Sequence, residues 1–158
     1  MTRQAVYQGH FGSKAELLLA LVDDADSEAG IPGHVRRFLA ARDGAEALDL
    51  AVDIHAAIEP QIHGLARVFE TARLSDPAVE AVWQDRMAAR RGVAAAVVRR
   101  LAEEGRLAPE WTEASATDFL WSMLSVWTYQ ALVEERGWAL TDYAARLKTS
   151  LRAALERS

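Results

Sequence analysis

Between residues 119 and 133 no side chain carries a charge, and the apolar residues there do not keep to one side of a helix. Phe119, Leu120, Met123, Leu124 and Trp127 form one stripe at helical spacing, and Trp121, Val126, Tyr129 and Leu132 carry it around the helix. A surface helix of a monomer has one apolar and one polar face, so a helix apolar all round must be covered on more than one side. The stretch is too short for a bilayer, which needs about 20 apolar residues, and Ser, Thr and Gln interrupt it. Either it is central to a single core, or a second copy of the chain supplies the missing cover. The second reading is favoured. The expected helix over 112–136 and the amphipathic helix from 141, with Tyr143, Leu147, Leu151 and Leu155 on one face, would form a hairpin. Two such hairpins build a four-helix interface with two-fold symmetry. Phe119, Trp121, Leu124, Thr128, Leu147 and Leu151 are the residues expected at this homodimer interface.

The rest of the chain is also read as helical. Apolar residues recur at helical spacing, no segment alternates, and no Asn-Gly or Asp-Gly hairpin signal occurs. A short helix is expected over 2–8, broken by 9–12. Ser13 and Glu16 form a capping box for a helix reaching about residue 26. A polar and Gly-Pro linker over 27–33, a short helix over 34–41 and a helix over 45–58 follow. Pro60 is expected to interrupt the chain there, with a further helix to about residue 74. Asp76 as N-cap and Pro77 at the first helical position open a long helix ending at Gly105. Its apolar stripe is Val79, Val82, Trp83, Met87, Ala94, Val97, Val98 and Leu101. Arg86, Arg90, Arg91, Arg99 and Arg100 spread around the remainder and are read as a solvated face. The fold class is all-α, a helical bundle.

Composition narrows the function. The chain has 158 residues, enough to bury a full core as one domain or slightly more. It has no Cys, which excludes disulfides, thiolate metal sites and Cys nucleophiles. A net charge of -5 disfavours a compact DNA-binding module standing alone. Met1 is followed by polar residues rather than an apolar run, so the expected setting is cytoplasmic, away from membranes.

His55, Glu59 and His63 stand four apart, as helical metal ligands do. With Pro60 expected to break the helix between them, they are read instead as a polar patch in a ligand cavity. Trp83, Met87, Met123 and Trp127 are the expected apolar lining, with Tyr129 as a further polar anchor. Trp111 and Trp138, near helix ends, are read as packing residues. No Glu-x-x-His pair, Gly-rich phosphate loop or nucleophile elbow occurs, so no cofactor or metal is expected.

One stretch carries a resemblance. Thr2, Val6, Tyr7, His10, Phe11, Gly12, Ser13, Lys14 and Glu16 follow the order of residue types that closes the DNA-reading helix and opens the next helix in the TetR family of transcriptional regulators. Asp76-Pro77 before a long Arg-rich helix, Glu104-Gly105-Arg106-Leu107, and an apolar helix ending Arg136-Gly137-Trp138 are similar to that family's regulatory domain. The resemblance implies that Thr2, Arg3 and Gln4 reach base edges, that Tyr7 and Lys14 touch phosphates, that His10 also belongs to the DNA-binding set, and that Phe11 locks the reading helix to the body. It implies residues 1–26 as the remnant of a DNA-binding domain and 27–158 as a ligand-binding and dimerisation domain. The expected function is a ligand-responsive TetR-like regulator, partnered by a second copy, by a small molecule and, if the missing N-terminal helices exist, by operator DNA.

The chain departs from the pattern twice. The helices that hold a reading helix in the groove do not precede Thr2, and the reading frame is expected to extend upstream of Met1. Gln8 and Gly9 stand where the family has a single residue. As written, the DNA head is incomplete. The alternatives are a headless regulator that binds ligand or pairs with a longer relative and, less favoured, a helical-bundle enzyme.

Overall fold

The computed structural model describes residues 12–157, Asp26 by its backbone alone. The described chain is helical, without strands: α1 Lys14–Glu28, α2 Ile31–Leu39, α3 Gly44–Ala72, α4 Pro77–Glu103, α5 Glu113–Met123, α6 Val126–Tyr129, a π-helical turn Gln130–Glu134 that continues α6, and α7 Leu140–Leu155. A single isolated bridge pairs Leu107 with Glu156, tying the loop after α4 to the end of α7. No described helix is long and apolar enough to cross a membrane.

Local signals set most boundaries. Ser13 Oγ accepts from the Glu16 amide (3.1 Å), and Glu16 Oε2 reaches back to the Gly12 amide (2.7 Å), one residue beyond the expected box. Asp43 and Asp76 cap α3 and α4, and Pro77 occupies the first turn of α4. Gly105 and Gly137 adopt left-handed φ of 67° and 71°, where the helices before them stop. Between α1 and α2 the expected linker shrinks to a turn at Gly30 (φ 68°). Pro32 lies inside the first turn of α2, where its absent N–H leaves no intrahelical bond unmade.

Two expectations give way to tertiary packing. Pro60 does not interrupt α3, which runs unbroken from Gly44 to Ala72. A proline inside a helix costs about 3 kcal/mol. Here its ring sits on the exposed side while Val52, His55, Glu59, Phe69 and Ala72, on both sides of it, are buried. Conversely, residues 112–136 do not form one helix. The chain leaves helical geometry at Leu124 (ψ 56°) and restarts at Ser125, whose hydroxyl accepts from the Thr128 amide at 3.3 Å. The hydroxyls of Ser122, Ser125 and Thr128 bond locally to backbone and to each other, an alternative to the helical ladder.

That break also disposes of the all-round apolar helix. Leu120, Leu124, Val126 and Tyr129 are buried by the chain's own α3, α4 and α7. The main core gathers Leu48 and Val52 of α3, Val97, Val98 and Leu101 of α4, Leu120 of α5, and Tyr143, Leu147, Leu151 and Leu155 of α7. Leu124, Leu147 and Leu151, expected at a dimer interface, therefore face inward. The stripe of α7 covers its own chain's core. A smaller cluster joins Ala15 and Leu18 of α1 to Phe69, Ala72, Val79 and Trp83.

Glycines show where packing is closest. At Gly44 a Cβ would meet Leu101 Cδ2 at 2.8 Å and the Leu101 backbone nitrogen at 3.0 Å, and its amide donates to both carboxylate oxygens of Glu104. At Gly92, inside α4, a Cβ would touch nothing within 4 Å. Gly44→Ala is expected to destabilise by about 1–3 kcal/mol through overpacking, and Gly92→Ala to stabilise by roughly 0.5–1 kcal/mol through helix propensity. Urea unfolding of both variants measures the contrast; equal effects would mean that the α3–α4 crossing is not close at Gly44.

Candidate functional site

α1 to α4, with Leu124 at the α5–α6 break, line a half-open cavity of about 460 Å³. Most of its wall is aliphatic or aromatic: Ile54, Ile58, Ile62 and Leu65 from α3, Met87 and Val93 from α4, Phe38 from α2, and Val22 from α1. α3 and α4 present these side chains because they are long, adjacent and antiparallel neighbours in the bundle, each with an apolar stripe. The polar part of the wall consists of His55, Glu59, Arg86 and Arg90.

Glu59 decides the geometry. Its side chain is 0 % exposed, and a buried carboxylate is tolerable only when paired and hydrogen-bonded. Arg90 of α4 supplies the charge: its Nη2 lies 2.6 Å from Glu59 Oε1. The same Nη2 donates to the Leu124 carbonyl at 2.8 Å, the backbone oxygen at the α5–α6 break. His55 Nδ1 stands 3.2 Å from Glu59 Oε1, and His55 Nε2 lies 2.8 Å from the Tyr143 hydroxyl on α7. One proton assignment satisfies these partners. Tyr143 donates to Nε2, Nδ1–H donates to Glu59, and Arg90 directs its hydrogens to the two shorter oxygen acceptors. Glu59 Oε2 has no hydrogen-bond partner among the described residues.

Electrostatics support a neutral histidine beside a charged carboxylate. Burial lowers the His55 pKa, against the opposing pull of Glu59. Burial alone would raise Glu59, but the His55 hydrogen bond and the Arg90 charge outweigh it and hold the carboxyl below its ordinary range. Burial and the Glu59 charge raise Tyr143, which keeps its proton. Tyr129 is pushed up to about 12 by burial and by its 2.9 Å hydrogen bond to Glu134.

Of the expected ligand residues, His55, Glu59, Trp83 and Met87 line the cavity, and His63, Met123 and Trp127 do not. His63 sits with its ring 5.6 Å from Tyr129 and its Nε2 buried without a partner among the described residues. Trp127 packs edge-on against Trp83 and donates to Glu70 at 3.0 Å. Met123 packs against the main core. The unbroken α3 removes the earlier argument against a metal at His55, Glu59 and His63. Even so, no group of three or more His, Asp or Glu among the described residues is arranged to hold an ion.

Arg90 was missed, because the arginines of α4 read as a solvated face. The available signal was its partner: a carboxylate on an apolar helical stripe calls for a cation on the facing helix. Arg86 likewise lines the cavity, while Arg91 and Arg99 are exposed. Lys14, the expected phosphate contact, is exposed at the start of α1. Thr2, Arg3, Gln4, Tyr7 and His10 lie outside the described residues. Phe119, Trp121 and Thr128 are partly exposed. Trp111 stacks on Phe119 at 5.0 Å and donates to the Ala154 carbonyl at 2.7 Å, a packing role.

Arg90→Leu leaves a buried, uncompensated carboxylate and an abandoned Leu124 carbonyl. Its expected cost is about 3 kcal/mol in urea unfolding; a change below about 1 kcal/mol, the range of an exposed pair, would show that the pair does not hold the bundle together. The depressed His55 pKa gives a second test. Between its folded value and about 6.5 the unfolded chain binds more protons, so this contribution is complete above about pH 6.5 and is lost as pH falls. Glu59 acts in the same direction, but below its ordinary value of about 4.5. The melting temperature should drop between about pH 7.5 and about pH 5.5, and the drop should shrink in His55→Gln. An unchanged slope in that variant would remove His55 as its source.

Compared with protein-family models, with curated proteins and with solved structures, the chain shows no match.

Proposed function

We propose that the chain is the ligand-sensing part of a TetR-like transcriptional regulator. One observation carries this reading. The apolar cavity and the packing of α1 share side chains: Val22 of α1 lines the cavity, and Trp83 belongs both to its wall and to the cluster that holds Ala15 and Leu18. α1 directly follows the segment that resembles a DNA-reading helix. A molecule that prefers one position of Trp83 and Val22 thereby prefers one position of α1, and its differential affinity for the two positions is what moves the equilibrium.

The cavity also touches the other end of the bundle. Arg90 joins Glu59 on the cavity wall to the carbonyl at the α5–α6 break, and His55 joins it to Tyr143 on α7. A ligand that re-aims Arg90 changes the hold on that break. In this reading the chain acts as a homodimer through the outward faces of α5 to α7, where Phe119, Trp121 and Thr128 remain partly open. DNA contact falls to residues at and before the start of α1.

Chromatin immunoprecipitation of the tagged chain in its own cells tests the reading. Enrichment of discrete promoter-proximal sites is expected when the tagged gene keeps its upstream reading frame, together with altered enrichment when the cavity is blocked by Val93→Trp. No enriched site, with the chain recovered folded, would leave a ligand-binding protein without a regulatory role. Enrichment that depends on a longer co-purifying relative would assign the DNA contact to that partner.

A further inference from the structure

The polar wall of the cavity fixes the chemistry of what fits there. Glu59 is fully buried, lines the cavity and keeps Oε2 without a hydrogen-bond partner among the described residues. A buried acceptor left unpaired carries a penalty that a matching donor removes. Beside it, every hydrogen bond of Arg90 among the described residues leaves from Nη2, and a quarter of its side chain remains accessible. The remaining guanidinium hydrogens are available as donors. The wall thus holds a buried, unpaired acceptor next to a donor.

Charge sets the second constraint. Glu59 and Arg90 compensate each other at 2.6 Å, so the pair gives a ligand's head group no net charge to neutralise. Arg86 also lines the cavity and lies 3.7 Å from Asp85. The rest of the wall, with Ile54, Ile58, Ile62, Phe69 and Val93, is apolar, and a charged head placed there would lose its hydration without a counter-charge. At about 460 Å³ the space suits a small drug-sized body.

We propose that the cavity takes a neutral apolar molecule carrying one hydroxyl, which donates to Glu59 Oε2 and accepts from Arg90. A hydroxyl is the smallest neutral group that does both. The proposal rests on reading the cavity as a ligand site, and is independent of the DNA-directed half of the function.

Calorimetric titration of the full chain with four probes of one shape tests it: para-hexylphenol, para-hexyltoluene (methyl in place of hydroxyl), para-hexylbenzoate and para-hexylbenzylammonium. The phenol should bind at one site per chain, about tenfold or more tighter than the toluene, the scale of one buried hydrogen bond to a charged group. It should also bind more tightly than either ion. Glu59→Gln should collapse the phenol-to-toluene ratio toward one. If that variant fails to unfold cooperatively, the series on the unaltered chain still decides. Equal affinity of phenol and toluene overturns the hydroxyl assignment while leaving the cavity a ligand site. Tightest binding by the benzoate makes it an anion site at Arg86 and Arg90, and tightest binding by the ammonium a cation site at Glu59. Binding of none of the four overturns the proposal together with the cavity's reading as a ligand site.

Discussion

The Glu59–Arg90 pair ties together helices that are far apart in the sequence. A carboxylate with no solvent access must have a counter-charge, and α4 supplies it through Arg90. Supplying it sets how α4 is rotated against α3, because Arg90 must turn inward while Val97, Val98 and Leu101, further along, still reach the core. The same guanidinium takes the Leu124 carbonyl, so the place where α5 gives way to α6 lies directly over the pair. His55, one turn before Glu59, extends the network to Tyr143 and so to α7. Four helical segments meet at one polar node inside an otherwise apolar body. In surroundings of low polarity, such a node is strong when satisfied and costly when disturbed.

The node also explains why a cavity persists beside a well-packed core. On one side of Glu59 the interior closes around Tyr143, Leu120 and Leu151. On the other, the isoleucines of α3 face the small residues Ala89, Gly92 and Ala96 of α4, and the helices do not fill the space between them. α2, held between the turn at Gly30 and the cap at Asp43, covers part of the opening with Val35 and Leu39, both substantially exposed. Apolar walls with a few convergent polar groups are the usual make-up of a small-molecule pocket.

Much of the helical layout was legible from local chemistry. Ser13, Asp43, Asp76-Pro77, Gly105 and Gly137 act through their own backbone or the next turn, so their meaning does not depend on distant parts of the chain. His55, Glu59, Trp83 and Met87 stood out because their spacing puts polar and aromatic groups on apolar stripes, and these four line the cavity. The failures were of the opposite kind. Pro60 read as a break, but burial on both sides of it outweighed the lost hydrogen bond. The run 119–133 read as one helix, whereas local hydroxyl bonding and Arg90 break it, and its own chain buries Leu120, Leu124, Val126 and Tyr129 while Trp127 stays exposed. Leu147 and Leu151 followed that reading to the wrong side of α7.

By itself, then, the sequence determined an all-helical chain, the capped starts and glycine stops of its main helices, and the residue types available for a polar patch among apolar neighbours. These follow from propensity, capping and periodicity, which act over a turn or two. Only the tertiary structure decided that α3 runs through its proline, that the apolar run divides at Leu124, and that Arg90 faces inward rather than toward water. Each of these depends on a partner far away in sequence, and the free energy of burying or pairing with that partner exceeds the local preference that points the other way.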